Sequence, residues 1–98
     1  MGAEERAHRR AVVQVLAVLT DVDPYGLEPG VPEGVPAGEY EPEAADIVRI
    51  LFRDGAATAH DVEGVWVRWF SESLVLRLGV ERTARLVDRL NDVASSLR

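Results

Sequence analysis

Apolar residues return at helical spacing in four stretches of this chain, and each stretch predicts one helix. Between residues 3 and 20 the order AEERAHRRAVVQVLAVLT holds strong helix formers and neither glycine nor proline. Val12, Val15, Leu16, Leu19 and Val22 fall three and four apart, the stripe of an amphipathic helix. Val13 and Val18 lie off that stripe, so the second half is apolar nearly all round and is expected at the centre of a core. The same valines admit a strand on propensity alone. A second stripe, Ala44, Ile47, Val48 and Leu51, predicts a helix over 42–54. Pro42 suits its first turn, acids lie at its positive end, Arg49 and Arg53 at its negative end, and Gly55 marks its stop.

The third stripe, Val62, Val65, Trp66, Trp69 and Phe70, predicts a helix over 59–77, opened by Thr58 with Asp61 as a capping box. Its end is ambiguous. SLVLRLGV alternates like a short strand, so the helix stops between Ser73 and Gly79. The fourth helix, 81–97, turns Leu86, Leu90, Val93, Ala94 and Leu97 inward and leaves Arg82, Arg85 and Arg89 as an outer basic stripe. These elements make an all-α domain of four helices in one unit spanning 1–98, with residues 21–41 as a long connection.

That connection changes the picture most. All five prolines fall between residues 21 and 46, together with the glycines at 26, 30, 34 and 38. Loops of such length inside small domains are usually functional or disordered. Tyr25, Leu27, Val31, Val35 and Tyr40 argue for packing against the helices, with Asp23, Pro24, Tyr25 and Gly26 as the turn that anchors the loop. Residues 21–46 also hold eight acids (Asp21, Asp23, Glu28, Glu33, Glu39, Glu41, Glu43 and Asp46) and no base. The formal charge is −6, so the rest of the chain is +2. Such a surface repels nucleic acid and anionic membranes and favours a basic protein partner.

Several chemistries are weak or excluded. There is no cysteine, hence no disulfide, no thiolate metal site and no cysteine nucleophile. Asp21, Asp23 and Gly26 match three positions of a calcium loop, but Tyr25 and Pro32 stand where ligands belong. His8 and His60 have no partner at metal-ligand spacing. The carboxylates Glu39, Glu41, Glu43 and Asp46 carry no sign of the contrasting environments that acid–base catalysis needs. No catalytic residue, metal or cofactor is expected. Trp66, Trp69 and Phe70 are expected in the core; a tryptophan left exposed would be the best interface candidate. The start, MGAEERAHRR, lacks the order of a signal peptide, and no apolar run reaches the ~20 residues that span a bilayer. A soluble cytoplasmic protein is expected, as a monomer or homodimer.

The motif Asp23-Pro24-Tyr25-Gly26, followed by Gly38-Glu39-Tyr40-Glu41-Pro42-Glu43 and then Ile47 and Leu51, resembles a group of small all-helical bacterial proteins of unknown function. In that group a DP-x-G turn ends the first helix, and a proline-rich loop leads through an acidic-tyrosine motif into the next. Some members resemble immunity proteins of toxin systems. The tryptophan often found before the turn in that group is replaced here by Asp21-Val22. The resemblance implies a helical fold in which Asp23, Pro24, Gly26, Tyr40 and Glu41 lock the loop onto the helices. The functional expectation is a non-enzymatic interaction module, with Glu28, Glu33, Glu39, Tyr40, Glu41 and Glu43 meeting a basic partner. The alternative is a small ligand-binding or enzymatic pocket near Tyr25, Tyr40 and Trp66.

Overall fold

The computed structural model describes residues 2–24 and 39–96. Their secondary structure is helical, in the order α1 (Ala3–Val22), α2 (Glu41–Asp54), α3 (Ala59–Phe70), α4 (Leu74–Leu78) and α5 (Val80–Ser96). The stretch around Val12–Val22 is helix, and no strand occurs among the described residues. The four expected helices become five there, because the expected 59–77 helix breaks after Phe70. Ser71 takes a left-handed conformation (φ 56°) that ends α3, and Ser73 starts α4 by accepting the Leu76 N–H on its hydroxyl. The carboxylate of Glu63 on α3 accepts the Val75 N–H at 3.0 Å. Two side chains therefore serve the orphan donors of a helix too short to stand alone. The break lets Leu74 and Leu78 turn inward beside α5, while Leu76 points out.

Other boundaries follow their cap chemistry. At the start of α3 Thr58 and Asp61 exchange side chain and backbone N–H bonds, the reciprocal capping box expected from sequence. Gly55 ends α2 in the left-handed region, where glycine has no Cβ to clash. α1 runs to Val22, two residues beyond expectation, and closes on Asp23 at φ 45°, an aspartate where glycine is commoner.

α1 packs against α2 and α5, α2 also against α3, and α4 bridges α3 and α5. The core joins Val15 and Leu19 of α1, Ile47 and Val48 of α2, Val62 and Trp66 of α3, Leu74 of α4, and Leu86 and Leu90 of α5. Trp66 sits between Tyr40 and Phe70, with ring centroids 6.4 Å and 5.6 Å away. Burying such side chains is worth roughly 1.5–3 kcal/mol each and is the main stabilising term of a domain this small. Asn91 of α5 adds a polar clamp: its amide oxygen accepts the Ala57 N–H at 2.8 Å and its amide nitrogen donates to the Ala57 carbonyl at 2.9 Å. The α2–α3 connection is thereby fixed to α5.

Candidate interaction site

Of the eight acids clustered between residues 21 and 46, three tie elements of the fold together and a fourth, Glu43, is buried. Asp21, at the end of α1, receives an Arg89 N–H at 2.7 Å and so ties the first helix to the last. Asp23 accepts the Tyr40 hydroxyl at 2.8 Å. Asp46 divides its two oxygens: one accepts the Trp69 indole N–H at 2.6 Å, the other faces Arg49 at 3.0 Å. Glu43, in the first turn of α2, is 4% exposed, and its Oε2 has no hydrogen-bond partner. Burial pushes the Glu43 carboxyl above its usual range; a bond from its own backbone N–H works against that, and Glu39 and Asp46 push it further up.

Tyr40 and Glu43 were expected to meet a partner. The structure corrects this: Tyr40 has no exposed surface and Glu43 almost none, so neither side chain is presented to another protein. Tyr40 lies inside because its ring stacks toward Trp66 while its hydroxyl reaches Asp23. A tyrosine can be buried in this way only when its polar tip finds an acceptor. Glu39 and Glu41 are exposed and form no hydrogen bond or ion pair among the described residues. Tyr25, Gly26, Glu28 and Glu33 lie outside the described residues.

The geometry at the two ends of the intervening segment is specific. Asp23 and Tyr40 are 17 positions apart in sequence and one hydrogen bond apart in space. Beside them the buried Pro24 offers its carbonyl to the Arg77 Nε–H of α4 at 3.0 Å. The two ends of the segment between Asp23 and Tyr40 are therefore held at one place. Its acids are Glu28, Glu33 and Glu39, and it contains no base.

The pocket reading expected Tyr40 and Trp66 to line an opening. Both are fully buried against each other, and the Trp66 indole N–H has no hydrogen-bond partner among the described residues. Among the described residues, no three His, Cys, Asp or Glu side chains converge as metal ligands. His8 stacks on Phe52 with centroids 5.7 Å apart at the surface, and His60 is exposed at the start of α3. Among the described residues, no helix is long and apolar enough to cross a membrane.

Two features escaped the sequence reading. Trp69 belongs to the same stripe as Trp66, yet it is 47% exposed, because α3 ends one residue later and its ring leans across to α2. Asn91 lies next to buried Leu90 on α5; an asparagine in a helix interior was the available signal, since it favours caps and turns over helix. No family model, curated protein or solved structure matches this chain.

Proposed function

We propose that the chain is a non-enzymatic protein–protein interaction module that engages a basic partner through the acidic surface at the start of α2, in the manner of an immunity-type inhibitor. The observation that carries this reading is the Asp23–Tyr40 hydrogen bond. It gathers the two ends of an acidic, base-free segment at one point, and Glu39 and Glu41 flank the Tyr40 end of that segment, whose sequence also carries Glu28 and Glu33. The division of labour among the acids supports it further. Asp21, Asp23 and Asp46 are engaged within the fold and Glu43 is buried, whereas Glu39 and Glu41 are exposed and have no hydrogen-bond or ion-pair partner among the described residues. Solvent-facing like charges destabilise the folded state slightly, and their use is electrostatic steering of an oppositely charged protein. In this reading the acidic loop packs over one side of the helices, and the module acts in a bacterial cytosol as a monomer or homodimer.

The test is binding to the product of the neighbouring gene, measured by calorimetry over a range of salt. Glu39→Lys/Glu41→Lys is expected to weaken the complex at least tenfold, and wild-type affinity is expected to fall as salt rises from 50 to 300 mM. A complex indifferent to both salt and charge reversal would sink the proposal.

A further inference from the structure

Trp69 is an exposed aromatic that the fold holds still. Its indole N–H donates at 2.6 Å to Asp46, a carboxylate almost wholly buried between the helices. Asp46 lines an open groove of about 220 Å³ between α2 and α3, with Ile50 and Val65 as its apolar lining, so the hydrogen bond fixes Trp69 beside that groove. An aromatic fixed before binding loses little rotational freedom when a partner covers it, which is how hot-spot residues gain affinity.

Gly64 opens onto the same groove from the middle of α3. Glycine in a helix interior costs about 1 kcal/mol relative to alanine. Nothing lies within 4 Å of where a Cβ would stand, so packing within the chain does not require glycine there. What it provides is room for another backbone to approach.

The charges lining the groove are also sorted. Asp46 is engaged by Trp69 and Arg49, and Asp61 by the Thr58 N–H of its capping box. Arg53 is held by Asp54, in an exposed pair that yields readily to a competing carboxylate. Arg68 is exposed and forms no hydrogen bond or ion pair among the described residues. Three guanidiniums thus surround the apolar lining, and their planar forks suit carboxylates. The net charge of −6 disfavours a nucleic-acid occupant.

We propose that the α2–α3 groove docks an acidic amphipathic helix of a second protein. Trp69 is the apolar anchor, Gly64 admits the incoming backbone, and Arg49, Arg53 and Arg68 receive the flanking carboxylates. The arginines of this site on α2, Arg49 and Arg53, lie about 12 Å and about 18 Å beyond Glu41 along the helix at 1.5 Å per residue.

The probe is an acetylated, amidated peptide of about 18 residues built from Glu, Ala and Leu, with leucines at helical spacing, alongside a copy in which every Glu is Gln. The chain has two tryptophans, so its ¹H–¹⁵N spectrum holds two indole signals, separable with Trp69→Phe. The Glu peptide is expected to shift the Trp69 signal and leave that of Trp66 in place. It is expected to bind at least tenfold more tightly than the Gln peptide in low salt. Arg68→Glu and Gly64→Leu, both at exposed positions, are each expected to weaken it at least tenfold while the circular dichroism spectrum is unchanged. Glu39→Lys/Glu41→Lys is expected not to weaken it, which separates this site from the acidic surface. Equal binding of the two peptides, or full affinity in both Arg68→Glu and Gly64→Leu, would overturn the proposal, as would tighter binding of a single-stranded oligonucleotide.

Discussion

Replacing Asn91 with alanine removes two hydrogen bonds that no other residue supplies. The Asn91 side chain meets both polar groups of Ala57, at 2.8 and 2.9 Å, and Ala57 is buried at 4% exposure. Truncation leaves one buried N–H and one buried carbonyl to be served by whatever water can enter. Each unsatisfied buried group costs about 1–3 kcal/mol, so an overall loss of about 2–4 kcal/mol is expected. For a domain of this size that corresponds to a fall in Tm of roughly 10–25 °C. Urea unfolding followed by circular dichroism measures it directly. The midpoint should drop with little change in slope, because the surface exposed on unfolding is nearly the same. Asn91→Asp dissects the pair: it keeps the acceptor for the Ala57 N–H but sets a carboxylate against the Ala57 carbonyl. It should therefore remain destabilised relative to wild type. Amide exchange at Ala57 should quicken in Asn91→Ala beyond the global change. A loss under about 1 kcal/mol, with Ala57 exchange unchanged, would refute the clamp.

Three further outcomes are expected. Ser71→Gly should stabilise by about 1 kcal/mol in the same assay, since Ser71 sits at φ 56° and glycine reaches that region without strain; a loss of stability would mean its side chain has a role beyond the turn. Tyr40→Phe deletes the hydroxyl that donates to Asp23 and should cost about 1.5–3 kcal/mol, the range for a bond to a charged group; a double-mutant cycle with Asp23→Ala, which removes the acceptor, should return a coupling between them, and a coupling near zero would dissolve the anchor. Glu43 binds its proton more tightly folded than unfolded, because burial raises its carboxyl. Folded chains therefore carry more protons in the window from the ordinary glutamate value up to the raised folded one, and stability should fall as pH rises through it. Glu43→Gln should flatten that slope and be the more stable protein at pH 7; parallel pH profiles would contradict the assignment.

Most of the fold was legible in the hydrophobic spacing, because helices that bury one stripe must repeat it. The stripes through Leu19, Ile47, Trp66 and Leu90 are the ones that meet in the core. Cap chemistry was legible for the same local reason at Thr58 and Gly55. The break at Ser71 was half visible as a change of pattern at SLVLRLGV. Its outcome depended on Glu63 reaching the Val75 N–H from another helix, which no local pattern contains. The acids differ as individuals in ways the sequence did not show. Sequence placed Glu43 beside Glu41 as if equivalent, but two residues are about 200° around a helix, enough to separate a buried face from a wet one. Asp46 and Trp69 are 23 positions apart and Asn91 and Ala57 are 34 apart, so those pairs existed only once the chain had folded.

The central claim is that the start of α2, held against the end of α1 by Tyr40 and Asp23, is the face presented to a basic partner. Hydrogen–deuterium exchange of the chain alone and bound to its neighbouring gene product tests this most directly. In the first turn of α2 Pro42 has no amide, the Glu43 N–H meets its own carboxylate and the Ala44 N–H already bonds the Tyr40 carbonyl, so Glu41 is the most direct reporter of a covering partner. The expected result is protection concentrated in residues 39–45 on binding, lost together with affinity in Glu39→Lys/Glu41→Lys. Protection confined to the arginine stripe of α5, with residues 39–45 exchanging as in the free chain, would contradict it.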